Sequence, residues 1–122
     1  MLPDIGDIAW IEFDPVKGTE QSGRRSGLVL TSRGYHQRSR RAASAPTTSN
    51  EKPWVFNVPL PPEMKVRGSV LLDRIRTIDR EDRMFDVIER APAEVLSEVR
   101  GRLAALLEFD VVLSVGDPGP GA

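Results

Sequence analysis

The sequence predicts a small, mainly β domain, a barrel or sandwich, covered by one helix near its C-terminus. Several short apolar runs are separated by proline, glycine or charged stretches, which is the spacing of an all-β domain. One of them, Trp54-Val55-Phe56-Asn57-Val58, alternates so that Trp54, Phe56 and Val58 share a face; Pro59, Pro61 and Pro62 end it, since proline cannot donate to a ladder. One clear stripe of apolar residues at helical spacing begins after Pro92.

Taken in order, Gly6-Asp7 is a turn into Ile8–Phe13, a strand apolar on both faces and therefore central, stopped by Asp14-Pro15. Residues 17–23 form a polar loop bracketed by glycines, and Gly27–Thr31 reads as a second buried strand. Ser32–Arg41 is too polar for a core element and is expected to be a mobile loop. Ala42–Thr48 is a weak strand, Ser69–Ile78 a long extended run, and Met84–Ile88 a short last strand. Pro92 suits a first helical position, with Glu94 in the first turn. Val95, Leu96, Val99, Leu103, Leu106 and Leu107 form the stripe, which should cover the core. Gly101 weakens the helix and is expected to mark a close packing contact.

With 122 residues the chain has room for one core. The expected domain is 1–116, and the Gly-Pro repeats of 117–122 predict a disordered tail. A domain this small leaves much apolar surface uncovered, which favours a partner or self-association. The absence of cysteine excludes disulfides and thiolate metal sites. No run approaches the roughly 20 apolar residues of a membrane helix. Met1–Asp7 has neither a basic patch nor an apolar run, so no signal peptide is expected; the mature chain should start near Met1, with a cytoplasmic address.

The net charge of −1 conceals an asymmetry. Six arginines and no acid lie between positions 24 and 41: Arg24, Arg25, Arg33, Arg38, Arg40 and Arg41. A polyanion senses local potential, so this block matters more than the total. A solvated loop is the plainer account of the block. The chain's fourteen arginines against three lysines argue the other way, because the guanidinium fork suits phosphates and base edges.

Elimination narrows the chemistry. His36 is the single histidine, so a two-histidine acid/base pair and a zinc site are both excluded. It reads first as solvated, second as contacting nucleic acid. Asp79, Glu81 and Asp82 could hold magnesium, but interleaved Arg80 and Arg83 make a surface ion-pair patch the better account. There is no glycine-rich phosphate loop opening a helix and no nucleophile elbow. What remains is Glu20, Gln21, Arg24 and Arg25, with Thr47-Thr48 and Asp73-Arg74 elsewhere. Phosphoryl transfer from an RNA 2′-oxygen needs a base, a proton source and charge stabilisation, and an arginine near a threonine hydroxyl can supply the last. By spacing alone, Glu20 and Arg25 could simply pair across a turn.

An ordered series of segments adds to this. Gly6-Asp7-Ile8 and Trp10–Pro15, Lys17–Arg25, Leu28-Val29-Leu30, Pro46-Thr47-Thr48, Leu72–Asp79 and Glu98–Leu103 together resemble the MazF/PemK toxin family over roughly residues 3–107. The resemblance implies an SH3-like β-barrel with a C-terminal helix, acting as a homodimer without cofactor or metal. It implies a toxin that cuts single-stranded RNA at short sequences, leaving a 2′,3′-cyclic phosphate and a 5′-hydroxyl, and that is neutralised by a cognate antitoxin protein. The antitoxin would carry an acidic tail that folds on binding.

By motif, Arg25 matches the family's catalytic arginine, Thr48 the threonine that stabilises the transition state, Glu20 an acidic residue tied to activity, and Asp73 a site aspartate of some members. Gln21, Arg24, Thr47, Arg74, Arg38 and Arg40 are expected to contact RNA, with residues 33–41 a gate beside the groove. Glu20 is the more natural base, since a guanidinium gives up its proton poorly. Three positions depart from the family: Ser26 stands where proline is usual, Thr19 where some members have histidine, and Leu71 where the PemK-like branch has arginine. Two alternatives stay open: a toxin of the same fold that poisons gyrase by protein contact, and an inactive paralogue that keeps only antitoxin binding.

Overall fold

A computed structural model describes residues 1–13, 24–50 and 52–109. Seven strands lie within them: β1 (Asp7–Glu12), β2 (Arg24–Val29), β3 (Arg41–Thr48), β4 (Asn57–Pro59), β5 (Ser69–Leu71), β6 (Arg76–Asp79) and β7 (Met84–Arg90). Two single helical turns, α1 (Arg33–His36) and α2 (Arg80–Arg83), precede the covering helix α3 (Ala93–Leu107). The strands join in the order β4-β5-β3-β2-β1-β7, with β6 also on β3, and every pairing is antiparallel. No pairing links β7 to β4 among the described residues, so the sheet is an open, barrel-like wrap. The mainly β class with a C-terminal helix is as the sequence predicts.

β1 is apolar on both faces because each face has its own core. On one, Ile8 joins Leu28, Val70 and Leu72 beneath Val95 and Val99 of α3. On the other, Ala9, Ile11 and Phe13 pack with Ile78. The Phe13 ring lies directly on Gly27, where a Cβ would come within 2.6 Å of it.

β3, the weak candidate, is the hub. One edge pairs with β2; the other is shared, residues 41–44 with β6 and 47–48 with β5. Strands crowd it from both sides, and the small Ala42, Ser44 and Ala45 are fully buried there. Small residues fit that position and dilute the apolar signal that a strand usually carries.

The expected single run Ser69–Ile78 is broken. Six positions separate Val70 from Arg76, but their β3 partners Thr47 and Ser44 are only three apart. The surplus chain forms a 3₁₀ turn, Leu72–Arg74, which drives Leu72 into the core and leaves Asp73 and Arg74 exposed. The alternating run at Trp54 is shorter than expected for a related reason. Asn57 N–H closes a turn on the Trp54 carbonyl (2.9 Å), so the strand begins at Asn57 and Trp54 stays exposed.

Residues 32–41 need a larger correction. Ser32 Oγ accepts the Tyr35 N–H and caps α1. His36 is 3% exposed, not solvated. Its Nδ1 lies 2.8 Å from the Pro3 carbonyl and its Nε2 2.8 Å from Thr31 Oγ1. A carbonyl only accepts, so Nδ1 carries a proton and donates it to Pro3, while Nε2 is in hydrogen-bond contact with the threonine hydroxyl. Asp4 holds the Arg33 N–H (2.9 Å), completing the tie to the N-terminal segment. Only His36 of this segment is buried; its neighbours stay on the surface, tied down by these hydrogen bonds to the N-terminal residues and to Thr31.

α3 starts one residue later than expected, with Pro92 as its cap. Val95, Leu96 and Val99 are buried, Leu103 packs at the margin of the core, and Leu107 is exposed. Gly101 marks no close contact: a Cβ there would meet nothing within 4 Å. Residues 110–122, which include the expected tail, lie outside the described residues.

Candidate functional site

The registers of β1, β2 and β3 build the site. Trp10 stands opposite Ser26 and Ile11 opposite Arg25 across β1 and β2, and Gly27 stands opposite Pro46 across β2 and β3. Continuing the second register by two residues sets Ser26 against Thr47 and Arg25 against Thr48. The Ser26 and Thr47 hydroxyls are indeed in hydrogen-bond contact, and the Thr47 hydroxyl also reaches the Ser26 carbonyl (3.3 Å).

These residues line an open cleft of about 660 Å³. Its walls carry four cations (Arg24, Arg25, Lys65 and Arg67), the hydroxyls of Ser26, Thr47, Thr48 and Ser49, and the apolar Trp10, Val66 and Ile88. No carboxylate lines it among the described residues. Thr48 Oγ1 accepts the Asn50 N–H (3.1 Å), which leaves its own proton to donate. Arg24 lies 3.8 Å over the Phe85 ring, a cation–π contact that holds a charged side chain at the mouth.

Two features of the wall had no signal in the sequence. Gly68, at φ +106°, sits against the Thr48 carbonyl so closely that a Cβ would collide with it. Glu89 on β7 accepts the backbone N–H groups of Lys65 (3.0 Å) and Val66 (2.8 Å), holding the loop that carries Lys65 and Arg67. A β-bulge sits beside it: Ile8 and Ala9 face Glu89 and Val87, so Ile88 is the extra residue. A carboxylate bound to backbone more than twenty residues away leaves no local pattern to read.

The predicted site residues divide. Arg25, Thr48, Arg24 and Thr47 come together in the cleft, although Thr47 is buried and its hydroxyl is engaged with Ser26. Arg74 meets Arg25 on another side, where Phe13, Pro46 and Arg76 complete a pocket of about 150 Å³. Asp73 lines neither; it accepts the Trp54 indole N–H (2.9 Å). Glu20 and Gln21, with Thr19, lie outside the described residues. Of the two remaining departures, Ser26 clasps Thr47, and Leu71 is buried at the end of β5.

Arg38 and Arg40 do not reach the cleft. They precede Arg41, at the far end of β3 from Thr48. Arg40 pairs with Asp79 (3.0 Å), Glu81 (3.5 Å) and Asp82 (3.5 Å). The acidic cluster is thus an ion-pair patch, as expected, but Arg40 is its cation. Arg80 donates instead to the His36 and Ser39 carbonyls, and Arg83 to that of Glu12. Partial burial works against the Asp79 carboxylate, yet hydrogen bonds from Arg40 and from the Asp82 and Glu81 N–H groups outweigh it and hold its pKa below the usual range. The hydrogen bond to Asp79 likewise raises Arg40. Among the described residues, no three His, Cys, Asp or Glu side chains gather in a way that could hold a metal ion.

An open antiparallel barrel with a covering helix, and a cleft of cations and hydroxyls where its central strands meet, defines a small β protein suited to gripping a polyanion. Comparison with known proteins makes the assignment specific. Residues 4–107 match the sequence model of the PemK-like, MazF-like toxins of type II toxin–antitoxin systems, and the chain belongs to that family. It is 35% identical over 77 residues to the endoribonuclease toxin MazF of Escherichia coli strain K12, covering 63% of this chain and 68% of that protein. It is 33% identical over 106 residues to the E. coli endoribonuclease PemK, covering 84% of this chain and 80% of that one. A crystal structure of MazE-MazF from Deinococcus radiodurans superposes with a TM-score of 0.83 at 40% identity, covering 90% of this chain and 99% of that chain.

Proposed function

We propose that the protein is a sequence-specific, metal-independent endoribonuclease toxin that cuts single-stranded RNA. The observation that carries this reading is that Arg25 and Thr48 line the same cationic cleft. The RNA 2′-oxygen attacks the adjacent phosphorus, a P–O2′ bond forms, the P–O5′ bond breaks, and the departing 5′-oxygen takes up a proton. The ends are a 2′,3′-cyclic phosphate and a 5′-hydroxyl. Arg25 offsets the charge that builds on the non-bridging oxygens, and the Thr48 hydroxyl donates to one of them. Glu20 takes the 2′-hydroxyl proton. Arg24 and Arg74 flank Arg25 and hold neighbouring phosphates, and Thr47, through Ser26, keeps the two strands in register.

The names of its relatives support the reading of activity, and the MazE-MazF complex supports a cognate antitoxin as partner. The working unit is a homodimer in the cytoplasm. Phe85 and Val87 stay exposed on β7, the last strand of the sheet path, as do Leu107 and Phe109 at the end of α3; burying them against a second copy would remove apolar surface from water. Among the described residues, no helix is long and apolar enough to cross a membrane.

The test is incubation of the pure protein with a long single-stranded RNA in EDTA, with the cut ends mapped. Cleavage that leaves cyclic phosphates at a recurrent short sequence is expected. Intact RNA, with or without divalent metal, would overturn the proposal and favour a toxin that works by protein contact.

A further inference from the structure

Trp10 takes no part in the chemistry above, and its position needs a reason. Two residues earlier on the same face of β1, Ile8 is sealed under α3. At Trp10 the helix no longer covers the sheet, and the indole is 44% exposed. It lines the cleft with the apolar Val66 and Ile88, and Arg25, Lys65 and Arg67 line the same cleft. A π face in a cleft that also carries cations matches a base between two phosphates, for stacking is indifferent to charge while the phosphates are not. The volume, about 660 Å³, lies in the range of roughly 300–1,000 Å³ that accommodates ligands of nucleotide size. The wall opposite the sheet is held in place by Glu89, whose two oxygens take the Lys65 and Val66 N–H groups.

We propose that the cleft is a nucleotide subsite beside the scissile phosphate, in which one unpaired base stacks on Trp10 while Lys65 and Arg67 hold its phosphate. Trp10 is then a binding residue that sets affinity and base preference at one position, and Glu89 positions the cationic loop. This inference rests on the RNA reading above and adds where the strand is gripped.

The experiment uses single-stranded RNA made uncleavable by 2′-O-methyl groups, with 2-aminopurine at successive positions, alongside cleavage of unmodified RNA. On binding the wild-type protein, the fluorophore should be quenched at one position. Trp10→Phe, which retains a π face, should keep that quenching, whereas Trp10→Ala and Trp10→Leu should lose it. KM should rise by about tenfold or more in the last two, with kcat little changed, in line with the loss of one stacked base. Trp10→Leu preserves apolar bulk and guards against a misfolded alanine variant. Unchanged quenching and KM in a folded Trp10→Leu protein would overturn the subsite. So would a shift in self-association with KM intact, which would make Trp10 a contact between copies. If the wild type cleaves no RNA, the functional reading fails instead, a separate outcome from normal cleavage that ignores Trp10.

Discussion

The two ends of β3 are both rich in arginine, and the fold puts them to opposite uses. At the Arg41 end, Arg40 is surrounded by Asp79, Glu81 and Asp82, and Asp79 also caps α2. At the Thr48 end, Arg24, Arg25, Lys65 and Arg67 line a cleft that has no carboxylate among the described residues. A guanidinium bound to three acids offers little net field to a phosphate; cations set among hydroxyls, such as Arg25, Lys65 and Arg67, offer more. The net charge of −1 averages over the whole chain and describes neither region.

The sharpest way to break this contrast is to remove one arginine from each end. Arg25→Ala should lower kcat for RNA cleavage by at least about 10²–10³, while Arg40→Ala should leave it within about twofold, each checked on protein that melts cooperatively. Equal losses would erase the distinction between the ends. Next in size is Gly68→Ala, which forces a Cβ into the Thr48 carbonyl at φ +106°. A stability loss of about 2 kcal/mol or more in urea titration is expected, together with lost cleavage.

Salt dependence sharpens the comparison further. Lys65→Ala and Arg67→Ala should each reduce the slope of log K against log salt for RNA binding by about 1, and Arg38→Ala should not change it. A flattened slope in Arg38→Ala would return residues 33–41 to the RNA groove. Acid acts on the opposite end. The Asp79 pKa is depressed, as is that of Asp4, which accepts the Arg33 and Ile5 N–H groups. A carboxyl with a lowered folded-state pKa stabilises the fold above its unfolded value near 4, and the contribution disappears as pH falls through the lower, folded value. The urea midpoint should therefore fall below about pH 4, and less so in Asp79→Asn. Smallest of all, Gly101→Ala should raise stability by about 0.5–1 kcal/mol, visible as a higher Tm, because the site is open and the helix gains propensity.

Much of the architecture was legible because it rests on local pattern. The period-two and period-3.6 runs place β1, β7 and α3 within a residue or two, and proline and glycine mark most of their ends; β2 begins three residues earlier than its apolar run, at Arg24. His36 and Gly101 were misread because nothing local tells whether a polar side chain finds a buried partner or whether a glycine has a neighbour. At the site, the ordered motifs brought forward Arg25 and Thr48, which the fold then brings to one cleft. They did not separate Arg40 from the cleft, since distance along the chain says nothing about which carboxylates lie across a strand.

The sequence by itself determined the fold class, the family, and the residue types able to do phosphodiester chemistry, because hydrophobic period and motif are properties of neighbouring positions. Only the tertiary structure decided which arginines face acid and which face hydroxyls. It also revealed Gly68 against Thr48, Glu89 holding the Lys65 loop, and Trp10 emerging from beneath α3. Those depend on strand register, and register brings together residues that no short stretch of chain connects.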